Sequence, residues 1–314
     1  MARRSPGSEP PAAASVLSET AFAKINLTLR VLGKRADGYH EIESLVAFAN
    51  IGDRLLLTPG GDLALAVDGP YARQAGPLGD NLVLKAANAL ARRVPGIAFG
   101  KFALMKEIPA QAGLGGGSAD AAAALRLLAR ANCLDPADPR LYQAARETGA
   151  DVPVCLDPRP RWMRGIGENL SPPLTLPPLN AVLVRPDVAL ATKDVFAALA
   201  AAPLPSQERA GFTAFPTAPR DLINFLAAGV NDLESVARRM SPQVGEVLAA
   251  LRRQHGCELA RMSGSGSACF GIFATPSAAA AAAHELGAKR PQWWTRVAVI
   301  GADQHASTGK FFSQ

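Results

Sequence analysis

The sequence predicts an α+β fold in two domains, and three observations carry that prediction. Short runs alternate apolar and polar residues as strands do, and Ala- and Leu-rich helical runs lie among them without a regular strand-helix-strand repeat. A Pro-rich stretch from Pro158 to Pro178 then divides the chain near its middle. At 314 residues, 48% hydrophobic and 19% charged, the chain is long enough for two cores. The expected division is a disordered tail over 1–18, an N-terminal domain over 19–172 and a C-terminal domain over 173–314.

The first strand is read from Ala23, where Ile25, Leu27, Leu29 and Val31 face one way and Lys24, Asn26, Thr28 and Arg30 the other. Same-face neighbours on a strand are about 7 Å apart, so Lys24 and Asn26 can reach one ligand. A Gly-bearing turn, Gly33 to Gly38, leads to a second strand over Ile42 to Phe48. Two further runs, Arg54 to Thr58 and Leu63 to Val67, flank Pro59-Gly60-Gly61 and read as a hairpin. A helix follows over Asn81 to Arg93, a strand over Phe99 to Met105, and a helix over Ala121 to Ala131. In the second half the pattern predicts a strand at Val182 to Arg185, helices at Lys193 to Ala200, Asn231 to Met240 and Val244 to His255, and a strand at Ala268 to Phe273. Residues 201–220 are Pro-broken and read as loop, and Ala278 to Ala283 as a helix segment.

Composition excludes several function classes. The net charge is +6, but the basic residues are dispersed in nothing longer than pairs such as Arg92-Arg93, and aromatics make up only 6%, which argues against nucleic-acid binding. Attraction for small anionic molecules is the remaining reading. No apolar run is long enough to span a membrane, and the start of the chain lacks the apolar core of a secretory signal. Cys133, Cys155, Cys257 and Cys269 have no metal-type spacing and are too sparse for a disulfide scaffold, so a reducing cytoplasm is expected.

The densest chemical signal is Gly113-Leu114-Gly115-Gly116-Gly117-Ser118, which opens a strong helix. Glycines let several backbone N–H groups converge on one point, and the helix N-terminus favours an anion there. Phosphate cradling is the functional reading, an ordinary glycine turn the plainer one. Ser118 is either the helix cap or a hydroxyl facing phosphate or magnesium. A P-loop needs Gly-Lys-Ser/Thr where Gly117-Ser118-Ala119 stands, and the dinucleotide-binding fingerprint needs a glycine where Ser118 is. Both are excluded.

Together with Pro109, this loop resembles the PxxxGLGSSA-type loop of the GHMP kinases. Ala23 to Leu27 is similar to their first motif and Ser263-Gly264-Ser265-Gly266 to their third. Arg35-Ala36-Asp37-Gly38-Tyr39-His40, the Gly115 to Ala122 run, Gly149-Ala150-Asp151-Val152-Pro153 and Met262 to Gly266 further resemble the diphosphocytidyl-methylerythritol kinases. Ala119, where that subgroup has a second serine, and the proline-rich run after Val154 are departures.

The resemblance implies the two-domain GHMP fold, with an N-terminal domain like ribosomal protein S5 domain 2 and a ferredoxin-like α/β sandwich behind it. It implies ATP, with magnesium accompanying its phosphates, and transfer to the 2-hydroxyl of a diphosphocytidyl-methylerythritol acceptor in non-mevalonate isoprenoid-precursor synthesis. Pro109, Gly113 to Ser118 and Asn81 fall to the nucleotide. Asp151 falls to the acceptor hydroxyl, with Lys24 beside it. Asn26, Tyr39, His40, Phe196, Gly264, Ser265 and Gly266 fall to the acceptor, with Tyr39 and Phe196 as stacking faces, His40 bonding the base and Asn26 at the methylerythritol end. Locally, Asp151 is equally a turn aspartate, Asn81 a helix cap, Lys24 a solvated strand lysine and Phe196 a core aromatic. No acidic cluster identifies a metal cage, so the metal ligands are unassigned. A monomer or weak homodimer is expected. The alternatives are another GHMP kinase, acting on homoserine, mevalonate or a sugar, or a GHMP-fold sensor without catalysis.

Overall fold

A computed structural model describes residues 15–204, 216 and 218–301. The first part of the expected tail and most of the expected 201–220 loop therefore lie outside the described residues. Residues 17 and 18 belong not to a tail but to the first strand, β1 (Leu17–Asn26), which pairs antiparallel with β3 (His40–Pro59), Leu17 opposite Leu57. The short β2 (Arg30–Lys34) lies between them in sequence.

β3 corrects two expectations. It is one 20-residue strand where the sequence suggested two, because the Asn50-Ile51-Gly52-Asp53 run that looks like a turn continues the ladder. Gly52 is there for proximity: an added Cβ would lie 2.3 Å from the Ala21 carbonyl oxygen. The expected hairpin across Pro59-Gly60-Gly61 does not form either. β5 (Gly100–Met105) inserts beside β3, Leu57 opposite Phe102, and β4 (Ala64–Asp68) pairs with β5 in parallel. A parallel pair needs a crossover, and α1 (Leu82–Ala91) supplies it, burying Val83, Ala86 and Leu90.

α2 (Gly116–Ala131), α3 (Pro139–Thr148) and α4 (Val152–Leu156) complete the helical layer over this half of the sheet, and their Ala and Leu side chains pack with Phe48, Leu55 and Phe102. The Pro-rich stretch is no bare linker, since it holds the antiparallel pair β6 (Arg161–Gly165) and β7 (Asn169–Leu170), with β6 on β3.

The second half contributes β8 (Leu179–Arg185), α5 (Thr192–Leu199), α6 (Pro219–Ala228), α7 (Glu234–Met240), α8 (Pro242–Arg252), β9 (Cys257–Met262), β10 (Cys269–Phe273), α9 (Pro276–Lys289) and β11 (Trp294–Ile300). The sheet runs β4-β5-β3-β11-β8-β10-β9, and its halves join where Ile300 stands opposite Ala49. A second core fills the space between the halves, with Ile25 and Leu27 of β1 against Leu183, Phe270 and Trp294. The helix α6 was missed in the sequence, although Leu222, Phe225 and Leu226 have helical spacing behind Pro219; Leu222 and Leu226 are fully buried.

β1 ends at Asn26, so the alternation read as far as Val31 spans two strands and the crossing between them. Its polar face is not solvated. Lys24, Asn26 and Thr28 are all buried: the glycine-rich loop lies over Lys24, whose N–H donates to the Leu114 carbonyl at 2.9 Å, and Thr28 packs beside Gly229 at the end of α6.

Candidate active site

Both glycine-rich loops open on one cleft of about 1060 Å³, shared with β1, the start of α4, α5 and the β2–β3 turn. α2 begins at Gly116, five residues earlier than the sequence suggested, and Gly115 is its cap residue, at φ +64°. An added Cβ at Gly115 would sit 3.1 Å from the Lys24 Cβ. Ser118 is thus the third residue of the helix and not its cap, which removes one of its two expected roles. The first N–H groups of a helix have no intrahelical partner, so Gly116, Gly117 and Ser118 present unsatisfied donors where they line the cleft. Such an arrangement of backbone donors is suited to an anion. Pro109, Leu114 and Asn81 line the same end; Asn81 also caps α1, its Oδ1 accepting the Val83 N–H at 3.0 Å.

Gly113 does different work. At φ +75° it lies against the other glycine loop, and an added Cβ would be 2.3 Å from the Ser263 carbonyl oxygen and 2.9 Å from the Gly266 nitrogen and oxygen. Ser263 Oγ donates to the Gly113 carbonyl at 2.9 Å and accepts the Asn26 N–H at 3.1 Å, and the Ala268 N–H donates to the Ala112 carbonyl at 2.9 Å. Asn231 Nδ2 donates to the Met262 and Gly264 carbonyls, at 2.8 Å each. The two loops, from opposite halves of the chain, are joined backbone to backbone.

Where the loops meet, Lys24 Nζ lies 2.8 Å from Asp151 Oδ2, the lysine 5% and the aspartate 37% exposed. Asp151 occupies the cap position of α4, yet its carboxylate makes no cap hydrogen bond and turns to Lys24 instead. Asn26 Nδ2 donates to Ser44 Oγ at 2.7 Å, while its Oδ1 is buried without a partner. That orphan acceptor lies 3.2 Å from where a Cβ on Gly264 would be, so only glycine keeps the space open.

At the far end His40 and Phe196 form a ring pair, with centroids 5.0 Å apart and planes at 32°. Burial, with the Lys34 charge second, lowers the His40 pKa and favours the neutral imidazole. Tyr39 lines the cleft but stands at the rim, 59% exposed. Gly264 and Ser265 line it too. Gly266 does not: it is buried against Met262, and its N–H donates to the Ser263 carbonyl at 3.0 Å, which makes it a shaping residue of the loop.

Sequence reasoning missed a buried charge cluster beneath the phosphate loop. Lys106 Nζ donates to Asp120 Oδ2 at 2.7 Å and to Asp53 Oδ2, and Asp53 Oδ1 accepts the N–H groups of Glu107 and Ile108 at 2.6 and 2.9 Å. Nothing local in the sequence ties positions 53, 106 and 120 together; the ladder of β3 and β5 brings the first two side by side, and α2 carries Asp120 to them. Burial, only partly offset by Lys106, lifts the Asp120 carboxyl from its ordinary 3.8 to about 7. Between these values the folded chain holds a proton that the unfolded chain has lost, so this group's contribution to stability falls as pH rises from 4 to 7. Urea midpoints should therefore show this loss between pH 4 and 7, and Asp120→Asn should flatten it; an unchanged pH profile in the variant would discount the cluster.

Among the described residues no group of three or more His, Cys, Asp or Glu is placed to hold a metal ion, and no helix is long and apolar enough to cross a membrane. All four cysteines are free.

Comparison with known proteins fits this geometry. Residues 81–157 match the GHMP kinases N terminal domain, and residues 214–292 match GHMP kinases C terminal. A 4-diphosphocytidyl-2-C-methyl-D-erythritol kinase of Rhodopseudomonas palustris (strain BisB18) is 54% identical over 91% of this chain and 95% of its own length. One of the same name from Nitrobacter winogradskyi is 53% identical over 92% of this chain and 96% of its own. A crystal structure of 4-(cytidine 5'-diphospho)-2C-methyl-D-erythritol kinase superposes with TM-score 0.71 at 36% identity, covering 91% of this chain and all of that one. The chain belongs to the GHMP kinases, and among them to the family of 4-diphosphocytidyl-2-C-methyl-D-erythritol kinases.

Proposed function

We propose that this protein transfers the γ-phosphoryl group of ATP to the 2-hydroxyl of 4-diphosphocytidyl-2-C-methyl-D-erythritol, the kinase step of non-mevalonate isoprenoid-precursor synthesis. The observation that carries this is the Lys24–Asp151 pair, set where the phosphate loop meets the acceptor loop and in one cleft with the His40–Phe196 rings. ATP lies with its phosphates on the N–H groups of Gly116, Gly117 and Ser118 and its nucleoside toward Asn81. The acceptor's base lies on the ring pair, and its alcohol reaches Asp151 and the orphan Oδ1 of Asn26.

Phosphoryl transfer asks little covalent work of a protein; positioning and charge neutralisation supply the rate. The acceptor oxygen bonds to the γ-phosphorus as the bond from that phosphorus to the β,γ-bridging oxygen breaks, and ADP leaves. Asp151 takes or orients the hydroxyl proton, and the Lys24 ammonium holds the carboxylate toward that oxygen. When bound with ATP, magnesium would supply neutralisation of charge on the phosphates. The donors here fit an ion held through phosphate oxygens and water, since the described residues offer no carboxylate cage. A cytoplasmic monomer or weak homodimer is the setting we infer.

The test is ADP release with diphosphocytidyl-methylerythritol beside homoserine, mevalonate and galactose. Turnover with the first alone is expected. Turnover of one of the others without it would overturn the reading.

A further inference from the structure

Four lysines line the cleft, and two of them are committed: Lys24 to Asp151, and Lys106 to Asp53 and Asp120. Lys34 and Lys193 are exposed and have no carboxylate partner among the described residues. Neither belongs to a glycine loop. Their positions are nevertheless specific.

Lys34 is the cross-strand partner of His40 in the β2–β3 ladder, and residues directly opposite on a ladder have Cβ atoms about 5 Å apart. Its charge is felt at the His40 ring. Lys193 precedes Phe196 by three residues on α5, the spacing that puts two side chains on one helical face. Each lysine thus accompanies one member of the ring pair. β2 is fastened to the segment that follows α5: the Lys34 N–H donates to the Ala202 carbonyl at 2.8 Å, and the Leu204 N–H to the Lys34 carbonyl at 2.9 Å. At the other end of α5, the hydroxyls of Thr192 and Ser265 are 2.9 Å apart, which ties the helix to the acceptor loop.

An acceptor with its base on the rings and its alcohol at Asp151 carries its own diphosphate between those points. The phosphate loop serves ATP and leaves that second diphosphate without counter-charge. We propose that Lys34 and Lys193 form a separate subsite for the acceptor's diphosphate; this rests on the function proposed above. The two ammonium groups recognise the charge that distinguishes a nucleoside diphosphate conjugate from a neutral alcohol or a bare nucleoside.

Inhibition constants for CDP and for cytidine, measured on the wild type and on Lys34→Met, Lys193→Met and the double variant, test this. Exposed charges contribute modestly, so the double variant should weaken CDP by about tenfold, and more at low salt. Cytidine inhibition and KM for ATP should hold at wild-type values, and Lys→Arg at both positions should restore most of the CDP affinity. If CDP and cytidine weaken together, the lysines only shape the ring slot and the subsite is overturned. If neither changes, it is overturned as well, while the proposed function stands. A wild-type chain that neither turns over the cytidine diphosphate acceptor nor is inhibited by CDP overturns the function itself and the subsite with it.

Discussion

Replacing Asp151 by asparagine is expected to lower kcat by at least about a hundredfold, the usual share of a positioned acid–base group. The substitution keeps the shape of the side chain and removes its charge. The carboxylate makes no cap hydrogen bond to α4 and is 37% exposed, so its loss costs the fold chiefly the counter-charge of the buried Lys24, which lowers the midpoint of an unfolding transition that stays cooperative. Soluble protein with a cooperative unfolding transition is therefore expected alongside the lost rate. Lys24→Met should lower kcat too, and the double variant should fall little below the worse single one, since the two groups act on the same oxygen. Steady-state kinetics of the three variants decide it. Near-normal turnover in Asp151→Asn would remove this residue from the mechanism.

The second large effect is expected at Gly113 and concerns stability before catalysis. An alanine there adopts a left-handed backbone at φ +75° and drives its methyl into the Ser263 carbonyl. The backbone term and the overpacking term together come to roughly 2 to 5 kcal/mol. Gly117 is the internal control. Its added Cβ would meet only the Leu82 Cδ1 at 3.5 Å, an ordinary contact, and alanine is favoured over glycine in a helix. Urea unfolding should thus separate two glycines of one loop, Gly113→Ala shifting the midpoint strongly and Gly117→Ala leaving it near the wild type. Equal midpoints would mean that the Gly113–Ser263 junction bears no load.

This contrast also explains what was legible in the sequence. Backbone donors that converge on one point come from contiguous residues, so the glycine loop over Gly113 to Ser118 that opens a helix was legible, as was the strand that brings Lys24 and Asn26 to one face. Division of labour inside the loop was not visible, because what crowds Gly113 and not Gly117 is Ser263 and Gly266, some 150 positions away. The same holds for Asp53 and Lys106 and for Lys34 beside His40, which meet through strand pairing, and for Asp120, which α2 brings to the first two. The failed hairpin at Pro59-Gly60-Gly61 has a related cause: local turn chemistry was right, but β5 from 40 residues on took the neighbouring place in the sheet. The long β3 was misread because Gly52 serves close packing and looks like punctuation.

The junction between the two glycine loops has one more consequence. With the reacting end of the cleft built on a seam of backbone contacts across both halves, the chemistry rides on a rigid chassis. The far end of the cleft is lined by side chains on α5 and on the β2–β3 turn, which on our proposal would hold the acceptor's base and diphosphate. On that reading, re-equipping the socket would change which base-bearing conjugates are accepted while the transfer end stays in register.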